Sequence, residues 1–246
     1  MQRLSSGLRI NSARDDAAGL GISERLRGQI RGLEQADRNI QDGISLLQTM
    51  DGVLNEVHSI LQRARELAVQ RNNGGIGTQA KNAIKSEFLA LCAEIGRIEG
   101  STQFNGIPLL QNASAVLTLQ VGANDGEMIT ISLVDLIGGG AGSLVRPNTF
   151  FTVSWNDADL AGFDLHIDDV ATARGRLGAI QNRLEYALSA NQNTRENLMG
   201  AESRIRDVDV ASEMSNYVRT KILQQGATAM LAQANQAPRN VLSLLR

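Results

Sequence analysis

Two long segments near the ends of the chain carry apolar residues at a seven-residue spacing. A sustained heptad keeps one face of a helix against a partner and imposes a left-handed supercoil. The pattern therefore predicts that the two segments pack on each other as a long coiled coil. The rows are Leu26, Leu33, Ile40, Leu47, Leu54 and Leu61 in the first segment, and Leu177, Leu184, Asn191 and Leu198 beside Ala173, Ile180, Ala187 and Thr194 in the second.

The middle of the chain changes to a period of two. Residues 116–121 and 127–133 alternate apolar and polar positions around Asn124-Asp125-Gly126, which predicts a β-hairpin. Residues 104–107 read as a tight turn, and residues 150–155 predict a further strand. The sequence thus predicts a mainly α fold, a long antiparallel helical rod or coiled-coil bundle with a small β-hairpin region in mid-chain.

Turn and cap residues set the expected boundaries. One helix is predicted from Ala17 to Gln70, a second from Thr78 to Glu99, and a return helix from Val170, capped by Asp168 and Asp169. A wide apolar face from Leu46 onward favours a bundle of three or more helices. The expected domains are an extended terminal segment (1–16), rod helices (17–100), β-hairpins with a short variable insertion (101–165), a C-terminal rod helix (166–202) and a terminal helix (203–246).

The C-terminal segment is uncharged between Ile222 and Pro238, yet it is too polar for a lipid core. An interfacial membrane helix would carry Lys and Arg on its polar face, and this stretch does not. Burial against other copies of the chain is the better interpretation. The apolar residues expected in this assembly surface are Ile222, Leu223, Met230, Leu231, Val241, Leu242, Leu244 and Leu245.

Composition argues against several other classes of protein. The net charge of −2 gives no basic excess for nucleic acid, and no apolar run is long enough to span a membrane. His58 and His166 lack metal-ligand spacing, and Cys92 lies on an apolar helical stretch as a buried side chain. No nucleophile, base and oxyanion site assembles, so the sequence predicts no enzyme, no cofactor and no metal.

Long ordered motifs at both ends of the chain resemble those of bacterial flagellins. The resemblance covers nearly the whole chain except about residues 135–165. The motifs that carry it are residues 2–11 (QRLSSGLRIN), 15–20 (DDAAGL), 27–33 (RGQIRGL), 62–70 (QRARELAVQ), 103–106 (QFNG), 119–127 (LQVGANDGE), 203–209 (SRIRDVD), 222–225 (ILQQ) and 231–246 (LAQANQAPRNVLSLLR).

This resemblance implies a secreted subunit of the flagellar filament, exported through the flagellar type III apparatus without a cleaved signal peptide. Its implied partners are other copies of the subunit, an export chaperone, the filament cap and the flagellin-sensing Toll-like receptor of animals. The receptor contacts carried over by motif are Arg63, Leu67 and Glu94. Flagellins normally begin with a further helical segment, so we expect this chain to lack part of the terminal helix.

Two alternatives stay open at the level of the sequence. A hook–filament junction protein shares the terminal helices, although the C-terminal ending favours flagellin. A soluble coiled-coil binding module would explain the heptads, but it would not explain the uncharged stretch from Ile222 to Pro238.

Overall fold

The computed structural model describes residues 1–110, 116–132 and 160–244, with side chains described up to residue 234. Its elements in chain order are α1 (Gln2–Ser6), α2 (Ala17–Arg71), α3 (Thr78–Ser101), β1 (Gln103–Phe104), β2 (Ile107–Pro108), β3 (Val116–Gln120), β4 (Met128–Ser132), α4 (Leu160–Arg206) and α5 (Val210–Leu244). The predicted mainly α fold with a small antiparallel strand region in mid-chain is confirmed. The strand predicted at 150–155 lies outside the described residues.

Both predicted turns in the β region are present, and each depends on residues that accept a positive φ. Asn105 (φ 48°) and Gly106 (φ 78°) join β1 to β2, as a two-residue hairpin turn requires. The longer hairpin pairs β3 with β4 in antiparallel register from Val116↔Ser132 to Gln120↔Met128. Gly126, with φ 87°, supplies the positive φ in its connecting turn.

The chain forms two compact units. The first contains Met1–Ile30 and the segment from Thr194 onward, and the second contains Arg31–Asn193. No helix in the described ranges is long and apolar enough to cross a membrane.

The core of the second unit is a contiguous apolar cluster from α2, α3, α4 and the β region. The seam residues Leu47, Leu54 and Leu61 of α2 are buried in it, as are Leu177 and Leu184 of α4. Ile180 is partly buried and packs against the same cluster. The ring of Phe88 on α3 meets that of Phe163 on α4 edge to face, with centroids 5.9 Å apart. Three helices therefore share this core.

Ion pairs between α2 and α4 show that these helices run antiparallel within the second unit. Arg65 of α2 pairs with Asp164 near the start of α4, its Nε lying 2.6 Å from Oδ1. Asp51, earlier on α2, accepts two hydrogen bonds from Arg174, further along α4. The partner on α4 thus moves forward as the position on α2 moves back.

The β3–β4 hairpin rests on two glycines of α2. A Cβ at Gly43 would collide with the side chain of Leu119, and one at Gly32 would crowd Ala123. Asn39 and Asn191 then donate their side-chain amides to carbonyl oxygens at the end of the hairpin. These two glycines permit close approach of a neighbouring element, which offsets their unfavourable helix propensity.

The return helix starts earlier than predicted. α4 begins at Leu160, so the expected start at Val170, with Asp168 and Asp169 as cap, is wrong. The added turns carry Phe163, which is buried against Phe88, and Asp164, which pairs with Arg65. Tertiary packing of this kind extends a helix beyond the boundary that local cap signals indicate.

Candidate assembly surfaces

Helix α5 exposes a large set of apolar side chains. Four of them recur at every fourth position from Val210 to Ile222, the spacing that places residues along neighbouring parts of a helix surface. Soluble chains rarely leave so much contiguous apolar surface in water unless it meets a partner. The exposed fractions are 56% for Val210, 46% for Met214, 47% for Val218, 61% for Ile222, 66% for Leu223, 73% for Met230 and 63% for Leu231.

Four of the predicted assembly residues therefore lie exposed on α5, namely Ile222, Leu223, Met230 and Leu231. Val241, Leu242 and Leu244 belong to the same helix, but their side chains lie outside the described part. Leu245 lies beyond the described residues altogether. The α5 surface used below means the exposed apolar residues from Val210 to Leu231.

The N-terminal segment pairs through its backbone with the C-terminal end of α4. The backbone N–H of Arg9 donates to the carbonyl of Arg206 at 2.7 Å, and that of Val208 donates to the carbonyl of Gly7 at 3.0 Å. Leu8 and Asp207 form an antiparallel bridge between these two bonds. We call this arrangement, residues 7–9 against 204–208, the terminal clamp.

The guanidinium of Arg9 strengthens the terminal clamp. Its Nη2 donates to the carbonyls of Arg204 (3.0 Å) and Ile205 (2.6 Å). The last carbonyls of a helix have no partner within the helix, and a cation there also complements the helix dipole. Asp209 then starts α5 by accepting the N–H groups of Ala211 and Ser212. Backbone groups on both sides of the break between α4 and α5, at residues 207–209, therefore have hydrogen-bond partners.

A nearly buried arginine ties α4 to α2 beside the terminal clamp. The side chain of Arg206 is only 12% exposed, and its Nη1 lies 2.6 Å from Oε1 of Glu24. Arg27 shares the same carboxylate oxygen at 3.2 Å. The hydrogen bond from Arg206, followed by the charges of the two arginines, lowers the pKa of Glu24 below its ordinary value. The carboxylate is thus held in its charged form.

Sequence reasoning missed the roles of Arg9, Glu24 and Arg206. The sequence predicts residues 7–9 as part of an extended terminal segment, and nothing in their local pattern indicates that they meet residues 204–208. The one sequence feature that marks both residues is that Arg9 and Arg206 each lie in a motif of the flagellin resemblance, at opposite ends of the chain. Periodicity reports the face of a single helix, so it gives no information about such a distant pairing.

The three residues expected to contact a receptor separate into two exposed ones and a buried one. Arg63 pairs with Glu87 (2.7 Å) and Glu66 (3.0 Å), and its side chain is half exposed. Glu94 pairs with Arg97 at 2.6 Å and is also partly exposed. Leu67, however, is only 1% exposed. Its assignment as a surface contact is wrong, because its side chain fills the core between the helices.

The remaining groups that could carry chemistry are potential metal ligands, the thiol of Cys92 and the imidazole of His166. No cluster of three or more potential metal ligands occurs in the described part of the chain. Burial raises the pKa of the Cys92 thiol to about 11, which keeps it protonated and unreactive at neutral pH. Burial also acts on His166, where it disfavours the charged imidazolium and so lowers the pKa, against a smaller opposing effect of Asp169.

Comparison with known proteins identifies the family. The family model of the bacterial flagellin N-terminal helical region matches residues 1–115, and that of the C-terminal helical region matches residues 160–245. The chain is 53% identical over 248 residues to a flagellin of Halalkalibacterium halodurans, covering 100% of this chain and 90% of that protein. The chain belongs to the bacterial flagellin family.

Other flagellins agree with this assignment. The chain is 46% identical over 278 residues to a flagellin of Bacillus subtilis, covering 100% of this chain and 91% of that one. The crystal structure of Bacillus cereus flagellin is similar with a TM-score of 0.51 at 29% identity, over 63% of this chain and 88% of that chain. As a flagellin, the chain is a structural protein of the flagellar filament and not an enzyme.

Proposed function

We propose that the α5 surface is the part of this flagellin that packs against other copies of the chain in the filament. The observation that carries the proposal is the exposure of its apolar side chains, which reaches 73% at Met230. A permanent interface between identical subunits is typically more apolar than the rest of a protein surface. The proposed domain division follows, with residues 203–246 in the filament core and the helices of residues 17–100 and 166–202 outside it.

The terminal clamp supports this proposal because it holds the start of α5 in place. Asp207 is paired with Leu8, and the preceding carbonyls are bonded to Arg9. A helix whose first residues are fixed loses less conformational freedom when it packs against a neighbour, and a smaller ordering cost favours association. The clamp therefore prepares the helix for assembly.

The test replaces an apolar residue of the α5 surface with a charged one. Leu223→Asp places a carboxylate where the proposal requires contact with another subunit, and burying an unpaired charge is costly. We expect loss of sedimentable filaments, checked by electron microscopy, and an unchanged thermal melt of the monomer. Gln225→Asp is the matched control, since it adds the same charge on the same exposed helix without removing an apolar side chain. Normal filaments from Leu223→Asp would contradict the proposal.

We further propose that Arg63 and Glu94 contribute to a surface bound by the flagellin-sensing Toll-like receptor. The proposal rests on the motif resemblance, together with the exposure of both side chains. Arginine is among the residues that most often anchor protein interfaces. Leu67 is not included, since it is buried. On the same motif resemblance we also propose export through the type III apparatus, with an export chaperone and a filament cap as partners.

The receptor proposal is tested with Arg63→Ala in a binding titration beside a thermal melt. We expect weaker binding by more than about tenfold, as for an interface anchor, with little change in the melt. Arg38→Ala is the control, because Arg38 is another exposed arginine of α2, and its side-chain hydrogen bonds to described residues go to Gln35 on the same helix. Equal binding by the two variants would remove Arg63 from the contact surface.

A further inference from the structure

The loop between α2 and α3 contains one of the two Asn–Gly pairs in the chain. Asn73 and Gly74 lie at its exposed tip, and Gly75 and Gly77 follow shortly after. A side chain at Gly74 or Gly77 would meet no atom within 4 Å. The backbone of Asn73 itself is held by two local hydrogen bonds, since its N–H donates to the carbonyl of Gln70 at 3.2 Å and its carbonyl accepts from the N–H of Ile76 at 3.4 Å. Asn105 and Gly106 form the other pair, in the turn between β1 and β2.

The side chain of Asn73 is held in an activated arrangement. Its Oδ1 accepts a hydrogen bond from the backbone N–H of Gly75 at 3.1 Å. A backbone N–H aimed at a carbonyl oxygen stabilises the negative charge that develops there when a nucleophile attacks the carbon. In the described part of the chain no hydrogen bond uses the N–H of Gly74, the backbone nitrogen next to this carbon.

We propose that Asn73 is a self-modification site, at which the side-chain amide is lost through a cyclic imide formed with Gly74. The nitrogen of Gly74 gives up its proton to solvent and attacks Cγ of Asn73, while the charge on Oδ1 is stabilised by Gly75. The bond from Cγ to the side-chain nitrogen then breaks, and ammonia leaves with a proton from solvent. Water opens the ring at either carbonyl, which gives aspartate or isoaspartate without oxidation or reduction.

Asn105 has the same neighbour and the same exposure, yet its side chain lacks the hydrogen bond that the side chain of Asn73 receives from Gly75. No hydrogen bond to its side chain occurs among those of the described residues. Its backbone is fixed at φ 48° between the paired residues Phe104 and Ile107. Ring closure requires rotation of the asparagine backbone. At Asn105 that rotation would break the pair of β1 and β2, whereas at Asn73 it would break the long 3.4 Å bond from the N–H of Ile76. Asn105 is therefore an internal control for Asn73.

Modification of Asn73 changes the loop in two ways. Aspartate adds a negative charge next to the end of α2, and isoaspartate also lengthens the main chain by one methylene group. Ile76, three residues on, is packed against the core of the second unit. The chemistry needs only water and the folded loop, so it is independent of the proposed assembly and receptor surfaces.

The experiment incubates the full-length chain at neutral pH and follows both sites by mass spectrometry. Cleavage after Arg71 and Lys81 releases Asn73 in a short peptide. The contribution of one neutral hydrogen bond corresponds to about a two- to tenfold change in rate, so Asn73 should convert at least about twice as fast as Asn105 in the folded chain. In the denatured chain the two rates should converge. Equal rates in the folded chain, or a faster Asn105, would overturn the proposal.

Two substitutions at Gly75 test the role of the hydrogen bond. Gly75→Pro removes the N–H that donates to Asn73, whereas Gly75→Ala retains it, and a Cβ there meets only the Asn73 side chain at an ordinary 3.5 Å. We expect slower conversion of Asn73 in the proline variant and an unchanged rate in the alanine variant. Conversion of Asn105 in the same samples checks that the fold is intact. Identical rates for the two variants would show that the N–H of Gly75 does not assist the reaction.

Discussion

Shortening Leu184 to alanine tests the packing between α2 and α4 in the second unit. The Leu184 side chain has no solvent exposure and lies against Gly43 and the core cluster. Leu→Ala changes at fully buried sites cost about 2.7–5 kcal/mol, because apolar contacts are lost and a cavity remains. We take about 3 kcal/mol, near the lower end, since a pair of helices can partly close over the gap.

The second unit, Arg31–Asn193, falls in the size class in which 1 kcal/mol shifts the melting temperature by about 2–4 °C. The expected decrease for Leu184→Ala is therefore about 6–12 °C. The assay is thermal and urea unfolding of the monomer, followed by far-UV circular dichroism. Leu165→Ala is the control, because Leu165 is on the same helix but 66% exposed. A loss below about 1 kcal/mol for Leu184→Ala, or equal losses in both variants, would refute the assigned packing.

Three further predictions use the same measurements or simple labelling. Leu61→Asp should unfold the second unit, since it buries an unpaired charge, whereas Asp at the partly exposed His58 should cost far less in thermal melts. Because burial raises the Cys92 pKa from 9.0 to about 11, alkylation in mildly alkaline buffer should be at least about a hundredfold slower in the folded chain than in the denatured one. Equal labelling rates would show that the thiol is accessible. The lowered pKa of Glu24 means that its bond to Arg206 stabilises the fold above the ordinary glutamate pKa and is lost as pH falls through the folded value. Glu24→Gln should therefore abolish part of the acid-induced increase in proteolysis of the N-terminal segment, and an unchanged pH profile would contradict this.

Much of the helical architecture was predictable because it depends on local periodicity. The heptad row through Leu47, Leu54 and Leu61 predicted a buried face, and these side chains are buried. The hairpin around Gly126 was predictable from its turn residues and flanking alternation. In both cases the residue pattern that predicts the element lies within one continuous stretch of the sequence.

The parts that were not predictable depend on contacts between distant residues. α4 extends back to Leu160 because Phe163 and Asp164 have partners on α3 and α2, which cap signals do not reveal. The terminal clamp likewise depends on Arg9 meeting the end of α4. The assignment of Leu67 as a surface contact failed because a motif carries residue identity but not the burial of each position.

The terminal clamp also determines when the first unit can fold. Arg9 and the carbonyl of Arg204 are separated by 195 residues in sequence. Closing a loop of this length costs about 2–3 kcal/mol more than closing one of ten residues, by the logarithmic dependence on loop length. A chain that emerges from the ribosome N-terminus first has Arg9 long before it has any carbonyl for Arg9 to bind. The terminal clamp therefore cannot close until residues 204–208 have been synthesised, which makes folding of the first unit depend on synthesis of the end of α4.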